Sequence, residues 1–132
     1  MNDAILRFRK GIPVFETAMQ ALLNAEEFLL GVAKPPPDIG VYALYYENDL
    51  KYIGEAKGKN GLYDRLINKH ISGDDRHTLH KVFLSSFPNK DERKAFIKTH
   101  ISAKWVALSC PATVSAVERL LIWSLQPEWN EK

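Results

Sequence analysis

Between residues 13 and 30, Val14, Ala18, Ala21, Leu22, Ala25, Phe28 and Leu29 recur at helical intervals. That spacing puts them on one face of an amphipathic helix. Pro13 suits a first helical turn and Gly31 suits a stop. Pro35-Pro36-Pro37-Asp38 follows, a stiff stretch that cannot continue a helix. It marks the clearest boundary in the chain. The pattern therefore predicts an N-terminal amphipathic helix and spacer over residues 1–37, and a second unit over residues 38–132.

The period then changes. Val41 to Tyr46 is β-branched and aromatic, Glu47-Asn48-Asp49 is turn material, and Leu50 to Gly54 is a second short apolar run. Together they predict a β-hairpin. Gly58-Lys59-Asn60-Gly61 reads as a loop. Residues about 62–71 return to helical spacing and end at Ser72-Gly73. Two short helices are expected between Arg76 and His100, and a third strand over Lys104 to Leu108. The last helix starts at Pro111 and runs to about Leu125, with Val114, Val117, Leu121 and Leu125 in phase and Pro127 beyond its end. The expected fold is α/β (α+β): a small three-stranded antiparallel sheet flanked by helices, with an N-terminal helical extension.

With 132 residues, 45% hydrophobic and 26% charged, the chain has the profile of an ordinary globular protein. It lacks any run of about 18 apolar residues that would span a membrane. Met1 to Lys10 lacks a signal-peptide core, and Cys110, the single cysteine, leaves no internal disulfide and no thiolate cluster for zinc. A cytoplasmic protein is the expectation. The net charge of +2 is unevenly spread, for residues 51–104 carry 12 basic and 6 acidic side chains. A local positive field of this kind suits a phosphate-backbone partner, although a solvated helical face has the same charge pattern.

Candidate chemistry begins on the hairpin. Gly40-Val41-Tyr42 opens its first strand and Tyr52-Ile53-Gly54 closes its second. Arg65 follows on the next helix, Glu118 lies on the last helix, and Asn130 ends Gln126-Pro127-Glu128-Trp129-Asn130. This ordered set resembles the GIY-YIG nuclease family, over about Gly40 to Asn130. A phosphodiester is an anion, and its hydrolysis needs positive charge at the phosphate, an activated water and a stabilised leaving oxygen. Arg65 is a permanent cation suited to phosphate oxygens. Glu118 is a hard oxygen ligand suited to Mg²⁺ or Mn²⁺.

The resemblance implies a metal-dependent endonuclease acting on DNA, with a single divalent metal at Glu118 and a tyrosine that helps activate water. Tyr42 is assigned that role, Tyr52 the orientation of the phosphate, and Asn130 either support of the site or contact with substrate. The family places a tyrosine or histidine four residues after the arginine, where this chain has Lys69, with His70 next. On a regular helix Lys69 lies about 40° from Arg65 and His70 about 140° away, toward the core. A one-residue bulge would instead bring His70 to the site, as the run His70-Ile71-Ser72-Gly73 suggests. Both stay candidates.

Glu55, directly after the second motif, stands where a carboxylate would repel a phosphate unless it faces away or binds metal. Lys57, Arg76, His77 and Lys81 are the candidate nucleic-acid contacts. His77 and His80, without cysteine or acidic partners at ligand spacing, do not read as a zinc site. Trp105, Trp123 and Trp129 read as core residues. A second reading is a GIY-YIG module that binds DNA or a partner protein without cutting. A homodimer or partner protein engaged through the N-terminal helix is a further expectation.

Overall fold

The computed structural model describes residues 2–74 and 76–130. The elements run α1 (Asp3–Leu23), β1 (Phe28–Leu29), β2 (Gly40–Tyr46), β3 (Asp49–Ala56), α2 (Gly61–Tyr63), a π-helical segment (Asp64–Lys69), α3 (Thr78–Phe83), α4 (Lys90–His100), β4 (Ile101–Ala107) and α5 (Pro111–Leu125). The four strands form one antiparallel sheet in the order β1-β4-β2-β3.

The hairpin forms as its sequence predicts. Glu47 and Asn48 both have positive φ, 53° and 68°, as a two-residue turn between twisted strands requires. A register shift after Leu44 leaves Lys51 unpaired in β3. Alternation along the strands then divides the core in two. Tyr42, Leu44, Ala56 and Ala103 face α2, the π-helical segment, α3 and α4, with Leu62, Leu66, Leu79 and Ile97 packed on them. Val41, Ala43 and Ile53 face the opposite way and meet Ala18 and Leu22 of α1 and Val114, Val117 and Leu121 of α5. The domain has three layers, with helices on both faces of the sheet.

Three features depart from the sequence reading. The sheet has four strands rather than three, because Phe28 and Leu29 pair with Ala103 and Ser102 at the β4 edge. The first helix spans residues 3–23 rather than 13–30. Its N-cap is Asn2, whose side-chain Oδ1 accepts from the Ala4 N–H at 2.7 Å, and it stops at Asn24. Pro13 thus sits inside the helix, where the lost N–H and the ring clash normally cost about 3 kcal/mol. The third departure is the strand read as Lys104 to Leu108, which spans Ile101–Ala107. At Asp64–Lys69 the segment is π-helical, the bulged one of the two alternatives that the sequence left open.

The proline spacer separates α1 from β2 along the chain and also supports α2. The Leu62 and Tyr63 N–H groups donate to the carbonyls of Asp38 and Pro36, at 2.9 and 3.0 Å. Gly61 has φ +37°, and a Cβ there would strike the Asp38 carbonyl. No helix among the described residues is long and apolar enough to cross a membrane.

Candidate active site

Tyr42 pairs with Gly54 across the β2–β3 ladder, and Tyr52 pairs with Leu44. Both tyrosines therefore project from the same face of the sheet, with ring centroids 6.2 Å apart. Tyr42 lies over Gly54 so closely that a Cβ at Gly54 would run into the phenol ring and hydroxyl. The glycine of the second motif thus makes room for the tyrosine of the first.

The π-helical segment brings His70 to the pair. The His70 N–H donates to the Arg65 carbonyl at 3.0 Å, five residues back. One extra residue in the turn moves His70 round from the core side onto the Arg65 face. Its Nε2 lies 2.7 Å from the Tyr42 hydroxyl, and its ring meets both tyrosines edge-on, at 5.3 and 5.7 Å. Of the two helix candidates, His70 is the one in contact with Tyr42. Lys69 closes the π-helical segment and lines neither cleft described below.

Burial dominates the electrostatics of this group. It pushes the Tyr42 phenol well above its ordinary value, Tyr52 adds to the rise, and the Arg65 charge and hydrogen bond act against it. Burial also drives His70 down to about 3, helped by Arg65, His77 and His80. Both partners of the 2.7 Å bond are therefore neutral at pH 7. Burial works against the Arg65 charge too, but Tyr42, Tyr52 and Asp64 outweigh it and hold the guanidinium protonated. Arg65 Nε and His70 Nδ1 are buried without a hydrogen-bond partner among the described residues.

Glu118 approaches from the other face of the sheet, on α5. Its side chain is only 15% exposed, with Arg119 Nε at 3.4 Å. Burial raises its pKa and the nearby Glu55 raises it further, while Arg119 and Lys57 oppose the rise. Glu55 projects to the α5 side because it alternates with Gly54. It pairs with Lys57 Nζ at 3.2 Å, and the same ammonium donates to Ser115 Oγ of α5 at 2.8 Å. The site therefore wraps around β3, the outermost strand of the sheet. A cleft of about 590 Å³ is lined by Tyr52, Glu55, Arg76, Lys81, Glu118 and Asn130, among others. A second, of about 370 Å³, shares Glu55 and adds Lys57, Lys59 and Arg65.

Asn130 secures that edge. Its Oδ1 accepts from the Ile53 N–H and its Nδ2 donates to the Ile53 carbonyl, both at 2.9 Å. The side-chain amide thus takes the place of a neighbouring strand. The Trp129 N–H donates to the Lys51 carbonyl at 2.9 Å, and Lys51 Nζ meets Glu128 at 2.7 Å. The C-terminal segment is zipped along β3 beside Tyr52.

Solved structures that resemble this chain include the GIY-YIG N-terminal endonuclease domain of UvrC from Thermotoga maritima. Its magnesium-bound form is 19% identical, with a TM-score of 0.42, covering 88% of this chain and 98% of that one. A point mutant bound to its catalytic divalent cation is 20% identical, with a TM-score of 0.43, covering 89% and 98%. No family model and no curated protein matches the sequence.

The other sequence candidates divide by position. Lys57, Arg76 and Lys81 line the clefts. Arg76 is also paired with Asp74 at 2.9 Å. His77 lines neither cleft and sits before α3, against Gly73. Trp105 stacks on Phe28 at 5.4 Å, and Trp129 packs among Tyr46 and Phe83. Trp123 is 77% exposed, not a core residue, because the apolar stripe of α5 runs through Val114, Val117 and Leu121. Sequence reasoning also missed His80 and Arg93, both buried. A charged residue in phase with Ile97 gives no sequence signal of burial.

The donors present fit a hydrated hard cation. Glu118 is a part-buried carboxylate whose charge is opposed by burial and by Glu55, and a divalent ion would relieve both. Among the described residues no group of three or more His, Cys, Asp or Glu is arranged to hold a metal. An ion here would keep most of its waters, in the manner of Mg²⁺.

Proposed function

We propose that this chain is an endonuclease of the GIY-YIG type that hydrolyses phosphodiester bonds in DNA with a divalent metal, Mg²⁺ or Mn²⁺. The observation that carries the reading is the convergence of Tyr42, Tyr52, Arg65 and His70 on one face of β3, with Glu118 at its other side. Residues remote in sequence meet at the outer strand, beside clefts that hold Lys57, Arg65, Arg76 and Lys81.

The proposed chemistry follows from these side chains. Arg65 moves its guanidinium from the Tyr42 hydroxyl onto the phosphate, where its unpartnered Nε finds an acceptor. That movement opens the buried Tyr42 hydroxyl to the cleft. The Tyr42 oxygen then takes a proton from the attacking water while its own proton passes to His70 Nε2. The incoming phosphate charge favours the His70 cation and so assists this relay. Tyr52 bounds the cleft and orients the phosphate, while Lys57, Arg76 and Lys81 attract the backbone. Asn130 keeps β3 and Tyr52 in register. When bound at Glu118, a divalent ion supplies Lewis-acid stabilisation of the phosphate and leaving oxygen.

The test is cleavage of plasmid, branched and single-stranded DNA with Mg²⁺, Mn²⁺ or EDTA. Metal-dependent nicking that EDTA abolishes supports the reading. Binding of DNA without cutting under every condition favours a module that holds DNA only.

A further inference from the structure

The π-helical segment ends at a buried hydrogen-bond chain outside the candidate site. Arg93 of α4 is 1% exposed and His80 of α3 is 0% exposed. Arg93 Nε lies 2.8 Å from His80 Nδ1, and His80 Nε2 lies 2.8 Å from the Ile71 carbonyl. Arg93 Nη1 also donates to the Phe87 carbonyl at 2.9 Å, which fixes the guanidinium against the α3–α4 connection.

Protonation states along this chain are forced. A guanidinium can only donate, so His80 Nδ1 must carry its lone pair. The proton of neutral His80 is therefore on Nε2, and it is given to the Ile71 carbonyl. That carbonyl follows the last π turn, where a helix end leaves acceptors unsatisfied. Ile71 is next to His70, and a slip of one residue would return the segment to regular helix and swing His70 away from Tyr42.

We propose that Arg93 and His80 are positioning residues for the Tyr42–His70 pair: Arg93 selects the His80 tautomer, and His80 clamps the Ile71 carbonyl so that the π turn persists. The proposal rests on the nuclease reading only for its effect on rate; the geometry it describes is present without substrate.

The test compares wild type with His80→Leu, His80→Gln and Arg93→Met, which removes the donor that fixes the His80 tautomer. The Tyr42–His70 hydrogen bond is followed by NMR of the ring nitrogens and hydroxyl proton in metal-free protein. Melting and cleavage kinetics are measured alongside. His80→Leu and Arg93→Met should lose or shift the Tyr42–His70 signature, and kcat should fall roughly tenfold or more with KM little changed. His80→Gln keeps a terminal donor for the carbonyl and should restore most of the signature. If His80→Leu does not fold, His80→Gln and Arg93→Met decide. An unchanged signature in Arg93→Met, or a signature in folded His80→Leu equal to that of wild type, overturns the proposal. An inactive wild type with the expected NMR changes would refute the nuclease reading and leave this one standing.

Discussion

The Tyr42 hydroxyl lies 2.7 Å from Nε2 of His70, in a setting where neither residue is more than 2% exposed. A neutral phenol and a neutral imidazole are held together by one hydrogen bond, formed because a π turn adds a residue between Arg65 and His70. Burial of the histidine has a thermodynamic signature. Its pKa is near 3 folded and about 6.5 unfolded, so between those values the unfolded chain binds the extra proton. The His70 contribution to stability is therefore fully present above about pH 6.5 and is lost as the pH falls toward 3. His70→Gln should flatten that decline, as thermal melts from pH 3 to 8 would show. Its cleavage rate should fall roughly 10²-fold or more, and that of Tyr42→Phe similarly, with each fold retained. A wild-type rate in His70→Gln would remove the relay.

Glu118 should behave as a functional residue kept at some cost to stability. Its folded pKa is raised by burial and by Glu55, so ionisation at neutral pH opposes folding. Glu118→Gln should melt at or above the wild-type temperature in metal-free buffer. Mg²⁺ should then raise the melting temperature of wild type but not of the variant, because the ligand charge is gone. A marked fall in the melting temperature of Glu118→Gln would assign the glutamate a structural role.

Asn130→Ala removes two hydrogen bonds to the Ile53 backbone and frees the outer edge of β3. A loss of about 1–3 kcal/mol in denaturant unfolding is expected. The cleavage rate should fall as well, because Tyr52 adjoins Ile53. Asn130→Asp should be no better, since it keeps the acceptor but loses the donor to the Ile53 carbonyl.

The first helix should divide into two parts under mutation. Ile5, Leu6, Phe8 and Ile12 are exposed, whereas Ala18 and Leu22 are in the core with Val41, Ala43 and Ile53. Deleting residues 2–12 should change melting little. Leu22→Ala should cost about 2–5 kcal/mol, as expected for a fully buried leucine. Removal of residues 1–33 should uncover one face of the sheet and lead to aggregation, which light scattering would detect.

Much of this architecture is written in local signals. The hairpin follows from its aromatic strands and the Glu47-Asn48 turn, and α5 follows from Pro111 and its apolar stripe. The motif residues Tyr42, Tyr52, Arg65, Glu118 and Asn130 come from the resemblance of their ordered set to a family, not from the local pattern around any one of them. Other features depend on contacts that spacing does not encode. The pairing of Phe28 and Leu29 with β4 overrides their place on a helical stripe. The position of His70 depends on a π turn, which sequence raises only as an alternative to regular helix and Lys69. Arg93 reads as a surface charge until His80 and two carbonyls are seen around it. Trp123 reads as core because tryptophan is usually buried on average, yet its phase on α5 points outward.

The most direct measurement is nicking of supercoiled plasmid by wild type and Glu118→Gln, purified identically and assayed with Mg²⁺ and with EDTA. Wild type should nick the plasmid with Mg²⁺ and not with EDTA, and the variant should nick it under neither condition. Equal nicking by the two proteins, or nicking by wild type that persists in EDTA, would contradict a metal-dependent site built on Glu118.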